Sequence, residues 1–379
     1  MHTTLSFWEQ TELLRCDALV VGGGIIGLSA AITLKEQDPH RDVVLLEREI
    51  LPSGASTKNA GFACYGSLTE VLGDVDELGA TDAQHVIARR KHGLDMLRGR
   101  LGDERMGYEP CGGYELLWET DAPALARMDE ANALMEPLFG AEYYSHRDPL
   151  ITEFGFNLDR VRNLVMMKHE GAINSGRMMK NLALYAAHLG VRIITGADVQ
   201  AVEENETDVR IRVRRHVMND TVEFVCRDVI VCTNALAPQL MPGCDVLPAR
   251  GQVLITEPIP SLQFKGVFHF HSGYYYFRHV GNRVLFGGGR NLDKDGETTD
   301  RFETTPLIQE SLLEHLRNTI LPGRDVQIAM RWAGIMGFSS TKKPIVQRIS
   351  RGIVVGFGCN GMGVALGSSI GAEAAELAG

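Results

Sequence analysis

The stretch VVGGGIIGLSAA, residues 20–31, sets Gly22, Gly24 and Gly27 in the spacing G-x-G-x-x-G. An apolar run, CDALVVGG, precedes it, as a buried parallel strand should. Helix-forming residues, IIGLSAAITLKEQ, follow, and then a second apolar run, DVVLLE, ends on Glu47. Strand, glycine turn, helix, strand and acid in this order predict a dinucleotide-binding unit. Gly22 permits the tight turn, Gly24 lets a pyrophosphate approach the backbone, and Gly27 lets the helix lie close to the strand. The helix N-terminus offers free N–H groups and partial positive charge to the phosphates. Glu47 is placed to accept hydrogen bonds from ribose hydroxyls and to repel a 2′-phosphate, which disfavours NADP, although Arg48 stands beside it.

The remainder of the chain narrows the class. Its 379 residues are 44% hydrophobic and 23% charged, enough for a packed core and two domains. The net charge of −10 repels phosphate backbones, so nucleic acid is not expected as a partner. The start, MHTTLSFWEQTELLRCD, has no basic leader before an apolar stretch, and the apolar segment near residues 354–366 is broken by glycines. Neither a signal peptide nor an integral membrane segment is expected. The seven cysteines are scattered, with no C-x-x-C pair and no zinc spacing, which reads as reduced thiols in a cytoplasmic protein with no metal site.

The segment LPSGASTKNAGFACYGS, residues 51–67, decides between NAD and FAD. An NAD unit would pass into another helix and strand, whereas these small and polar residues suit a chain lying along a longer ligand. Ser56 and Thr57 can donate to phosphates, and the backbone of Asn59, Ala60 and Gly61 can pass close to a ring system. With GAS…NAG, the stretches at 169–203, 227–240 and 352–377, in order, cover most of the chain. On these motifs the sequence resembles the FAD-dependent D-amino-acid oxidase family, which includes glycine oxidase, sarcosine oxidase and L-2-hydroxyglutarate dehydrogenase. The resemblance implies bound FAD and an α/β fold: a Rossmann-like FAD-binding domain with a mainly antiparallel substrate domain. It implies that Val199 touches adenine through its backbone and that Thr233 and Asn234 lie in the turn beneath the cofactor. In GFGCNGMG, residues 356–363, the backbone of Gly358, Asn360, Gly361, Met362 and Gly363 can approach a planar ring, and the helix that follows can face it.

Residues 1–80, 167–249 and 337–379 are expected to form the FAD-binding domain, and 81–166 and 250–336 the substrate domain. In the second insertion, GQVLITEP, FKGVFHFH, GYYYFRHV and NRVLFGGG read as antiparallel strands, with a hairpin turn at VGNRV. Alternation would put Tyr274, Tyr276 and Arg278 on one face, and His269 and His271 on another shared face. Arg290, after three glycines, falls near a substrate-contacting position by the resemblance. Tyr274, Tyr276, Arg278 and Arg290 are therefore the candidate catalytic or substrate-contacting residues. Where glycine oxidase carries an arginine that clamps the substrate carboxylate, this chain has Met336 by the resemblance, so either Arg290, Arg278 or Arg331 supplies the charge from elsewhere or the substrate is not a simple amino acid.

These features predict oxidation of a C–N bond in an amino acid or secondary amine by hydride transfer to flavin N5, with oxygen or a quinone as acceptor. One alternative is oxidation of a 2-hydroxy acid, with His269 or His271 as base. Another is an FAD-containing binding or assembly protein without a substrate, which would bury the ring under bulky side chains. A tRNA-modifying oxidase of the same fold would need a basic surface that the composition lacks.

Overall fold

A computed structural model describes residues 5–215 and 218–379. The glycine turn sits at the centre of a six-stranded sheet. Its order is Ile345–Arg348, Ile353–Phe357, Asp228–Val231, Ala18–Val21, Val43–Glu47, Arg192–Thr195. All neighbours are parallel except the edge strand Ile345–Arg348. The central strands are buried on both faces, which is why they read as unbroken apolar runs. Three helices, Ile25–Gln37, Ala80–Leu101 and Gly363–Ala378, pack together on one face in a single core with the sheet. Their contact is close because small residues lie between them: a Cβ on Gly371 would stand 2.4 Å from the carbonyl of Ile26. On the other face lies a small antiparallel sheet, Asp198–Glu204, Val209–Arg215 and Asp220–Cys226.

An eight-stranded sheet takes strands from both insertions. The order is Ile328–Phe338, Leu247–Thr256, Arg283–Gly288, Tyr275–Val280, Val267–Phe270, Gly113–Leu117, Asn163–Met167, Tyr144–His146. It is antiparallel apart from the pair Val267–Phe270 with Gly113–Leu117. The hairpin at residues 280–283 turns on Gly281, whose φ is 57°. One face carries an aromatic core around Phe264, Phe268, Phe277 and Phe286. The other face turns toward the glycine turn and carries Tyr276 with Phe62 and Trp332.

Two details depart from simple alternation. The strand Val267–Phe270 ends before His271, which has a φ of 51°, so His269 and His271 do not share a face. His271 packs 4.5 Å from Trp118 among the aromatic core residues, and burial holds its pKa down. Tyr274 precedes the strand Tyr275–Val280 rather than sharing its alternation with Tyr276 and Arg278. Among the described residues no helix is long and apolar enough to cross a membrane.

Candidate active site

The glycine turn is built by contacts that exclude side chains. A Cβ on Gly27 would lie 1.9 Å from the carbonyl oxygen of Gly22, and Gly22 itself has a φ of 110°. Glu47 Oε2 accepts a 2.8 Å hydrogen bond from Gly23 N, so the acid at the end of the second strand braces the turn. Ser56 Oγ accepts from Ile25 N at 3.0 Å, where the helix begins. These groups open onto one cavity of about 840 Å³. Its walls run from Glu47, Arg48, Asp198 and Val199 past the glycine turn to Tyr276, Arg290 and Met336.

The sequence-predicted cofactor residues divide by role. Gly22, Gly24, Glu47, Arg48, Ser56, Asn59, Ala60, Gly61, Val199, Thr233, Asn234, Asn360, Gly361, Met362 and Gly363 all line the cavity. Gly27 lies beneath it and acts through the helix–strand approach. Thr57 is turned away from any phosphate, because its hydroxyl donates to the carbonyls of Pro52, at 2.7 Å, and Gly54. Asn59 is held by its own turn: its amide donates to Ala55 and Ser56, and its oxygen accepts from Gly61 N and Ser175. Gly358 stands behind the wall, donating to Asn234 Oδ1 at 3.0 Å and accepting from the Asn360 amide at 2.8 Å. The loops after two parallel strands are thereby tied together.

The cavity fits FAD on three features of its walls. It runs unbroken from the acid-capped glycine turn to a second region against the antiparallel sheet. The Thr233 hydroxyl is buried without a hydrogen-bond partner in a cavity-lining turn. The first residues of the helix Gly363–Ala378 open into the cavity and present free backbone N–H groups. Cys64 and Cys359 also line it, but burial pushes the Cys359 thiol up to about 12 and the Cys64 thiol well above its usual range. Neither is held as a nucleophilic thiolate.

Of the four candidate substrate residues, Tyr274, Tyr276 and Arg290 line the cavity and Arg278 does not. Arg278 is buried behind Gly61 and donates to its carbonyl at 3.1 Å. Burial lowers its pKa, and Cys111 and Glu109 only partly offset this. It holds the 59–61 turn in place instead of meeting a substrate. Arg331 is exposed, so among the three arginines offered by the sequence Arg290 is the one on the cavity wall. Its guanidinium lies 4.6 Å from the ring of Phe338, and Lys294 lies 5.5 Å from the ring of Tyr274. Met336 lines the same region, beside Gly251. Tyr276 is pushed up to about 12 by burial and so stays a neutral hydroxyl.

Sequence reasoning passed over the acidic wall. The helix Leu68–Leu78 presents Glu70, Asp74 and Glu77 to the cavity at helical spacing. Asp74 pairs with Arg90 at 3.4 Å and Glu77 with Lys342. Glu70 instead accepts from the backbone and hydroxyl of Ser67, and its Oε2 lies 3.8 Å from His269 Nδ1. Burial pushes Glu70 upward, but His269 and Ser67 outweigh that and hold it below its usual range. The i, i+4, i+7 run of acids was legible as a helix face; its aim toward the cavity depends on where the helix docks.

The family model described as "DAO: FAD dependent oxidoreductase" matches residues 17–377. The chain is 24% identical to "Probable oxidoreductase OrdL" of Haemophilus influenzae, across 97% of this chain and 83% of that one. It is 25% identical to L-2-hydroxyglutarate dehydrogenase of Escherichia coli, across 64% of this chain and 54% of that one. Among solved structures it is similar to glycine oxidase from Geobacillus kaustophilus, with a TM-score of 0.76 at 19% identity, covering 96% and 94% of the two chains.

Proposed function

The chain belongs to the DAO family of FAD-dependent oxidoreductases, and from that premise we propose that it oxidises a C–N bond in an amino acid or secondary amine. FAD, when bound, accepts the hydride that leaves the substrate carbon. The chain's own residues hold the cofactor and orient the donor. We assign Gly22, Gly24, Glu47, Ser56, Val199, Thr233 and the 360–363 backbone to the cofactor. We place the FAD-binding part at 1–80, 167–249 and 337–379, and the substrate part at 81–166 and 250–336.

The observation that carries this reading is the pattern of unpaired charge on the cavity wall. Among the described residues, Arg290 and Lys294 form no ion pair, and Glu70 forms none with a lysine or arginine, Arg90 acting on it only from a distance. A carboxylate-bearing substrate meets the two cations, and its ammonium is drawn to Glu70. Tyr276 and Met336 supply the uncharged surface between them. Met336 cannot clamp a carboxylate, so Arg290 takes that role from beyond the end of the strand Arg283–Gly288, two strands away in the sheet. A second reading, oxidation of a 2-hydroxy acid, is supported by the L-2-hydroxyglutarate dehydrogenase relative and by His269 on the cavity wall.

Anaerobic mixing of the holoenzyme with D-alanine, N-methylglycine, L-proline and L-2-hydroxyglutarate separates the readings. Loss of flavin absorbance with at least one amine and none with the hydroxy acid is the expected result. Bleaching by L-2-hydroxyglutarate alone would overturn the amine reading. A panel that leaves the colour unchanged throughout would favour the substrate-free binding protein.

A further inference from the structure

We propose that His269 is the group that takes the proton from the substrate nitrogen, and that Glu170 sets its imidazole for the task. The inference deepens the amine-oxidation reading and rests on it for the identity of the proton donor. His269 lies on the strand Val267–Phe270, in register between Tyr276 and Glu115, and is 6% exposed. Its ring lies edge-on to Phe62 on the cavity wall, with centroids 5.1 Å apart.

Two buried polar atoms there lack hydrogen-bond partners, and they lie beside each other. His269 Nε2 and Glu170 Oε2 are 3.7 Å apart, and neither bonds to anything else among the described residues. Glu170 is 1% exposed, and its other oxygen is fully used, accepting from Tyr65 N, Gly66 N and the Tyr143 hydroxyl. Gly113 leaves the room: a Cβ there would stand 2.2 Å from Glu170 Oε2. A donor and an acceptor so placed satisfy each other after a shift of a few tenths of an ångström, which puts the imidazole proton on Nε2. Nδ1 then carries a lone pair on the side where Glu70 and the cavity lie.

An ammonium drawn to Glu70 meets that lone pair. The N–H bond of the substrate breaks, an Nδ1–H bond forms, and the electron pair stays on the substrate nitrogen, where C=N formation requires it. The protonated ring then lies between Glu70, 3.8 Å from Nδ1, and Glu170, 3.7 Å from Nε2. The other groups facing it are Glu115 from Gly113–Leu117, Tyr276 from the neighbouring strand, Cys64, and Arg90, which is engaged by Asp74 and the Tyr65 carbonyl. Sequence separation hid the arrangement, since Glu70 and Glu170 lie far from His269 along the chain.

Two measurements test this on the holoenzyme. In histidine-15N-labelled protein, with the signal assigned by its loss in His269→Asn, the neutral ring should carry its proton on Nε2. In Glu170→Gln that preference should disappear. With the fastest amine of the panel above, His269→Asn should keep its FAD yet bleach about 100-fold more slowly at pH 7.5. The loss should shrink as pH approaches that at which the amine deprotonates unaided. A ring protonated on Nδ1 would overturn the assignment. So would a His269→Asn protein that bleaches at the wild-type rate with the same pH profile. The labelling experiment needs no substrate, so it stands even where the amine reading falls. If only L-2-hydroxyglutarate bleaches the protein, the amine reading fails and the transfer from nitrogen falls with it, while the Glu170-set tautomer is still decided by the labelling.

Discussion

Glu115 is completely buried on the strand Gly113–Leu117, and burial pushes its carboxyl up to about 8 against hydrogen bonds from the Thr69 hydroxyl and backbone. The folded group keeps its proton to about pH 8, whereas an ordinary glutamate, at 4.5, gives it up far earlier. Between those values the folded state holds more protons than the unfolded one. Stability therefore falls as pH rises, by up to about 1.4 kcal/mol per pH unit from this group. Denaturant unfolding at pH 5, 6.5 and 8 should show wild type losing stability relative to Glu115→Gln, and parallel curves would contradict the assignment. Single residues were also where the sequence was least legible. Alternation put Arg278 and Tyr276 on one face correctly, yet Arg278 ends against the Gly61 carbonyl and outside the cavity. Spacing along a strand gives the direction of a side chain; the depth of what it meets is set by the partner segment. His271 was misplaced because the strand stopped one residue earlier, at a backbone conformation that no local pattern signals.

At the scale of elements, the strand–turn–helix–strand unit at 18–47 was readable because each part has its own local signature. The hairpin at 280–283 was readable for the same reason. The loop that carries Arg290 and Lys294 to the cavity wall was not. After Arg290 the chain runs without a long element to the helix Pro306–His315, and it is pinned by one buried network. Arg250, 3% exposed in its side chain, pairs with Glu297, 1% exposed, at 2.7 Å, and Gln252 donates to the same carboxylate at 2.9 Å. Thr305 N donates to Gln252 Oε1 at 2.9 Å, which closes the far end. Glu297→Gln leaves the buried Arg250 charge with only the exposed Glu303 carboxylate, 3.5 Å away, as an ionic partner. It should cost about 3–5 kcal/mol of stability and raise KM by loosening Arg290 and Lys294. Replacing both partners, as Arg250→Met with Glu297→Leu, should recover most of the stability measured by denaturant unfolding. Equal losses in the single and double variants would argue against the pairing.

Across the whole molecule, the wall of the cavity proposed to hold FAD belongs to no single stretch of chain. The glycine turn and residues 47–61 form one part of the cavity wall. Residues 197–199 and 232–240 form another, and residues 359–365 a third. The motifs of all three stretches were legible in the sequence. Their convergence follows from the sheet order, which sets Asp228–Val231 between Ala18–Val21 and Ile353–Phe357. The aim of the acidic helix face toward the cavity and the pair formed by His269 and Glu170 were not legible, because they join segments that no local period connects. The convergence itself is tested most directly by hydrogen exchange on the deflavinated protein before and after FAD is added. FAD should slow exchange together in the peptides covering 20–61, 197–240 and 357–366. Protection confined to the first of these, with the other two unchanged, would contradict a single FAD held by all three.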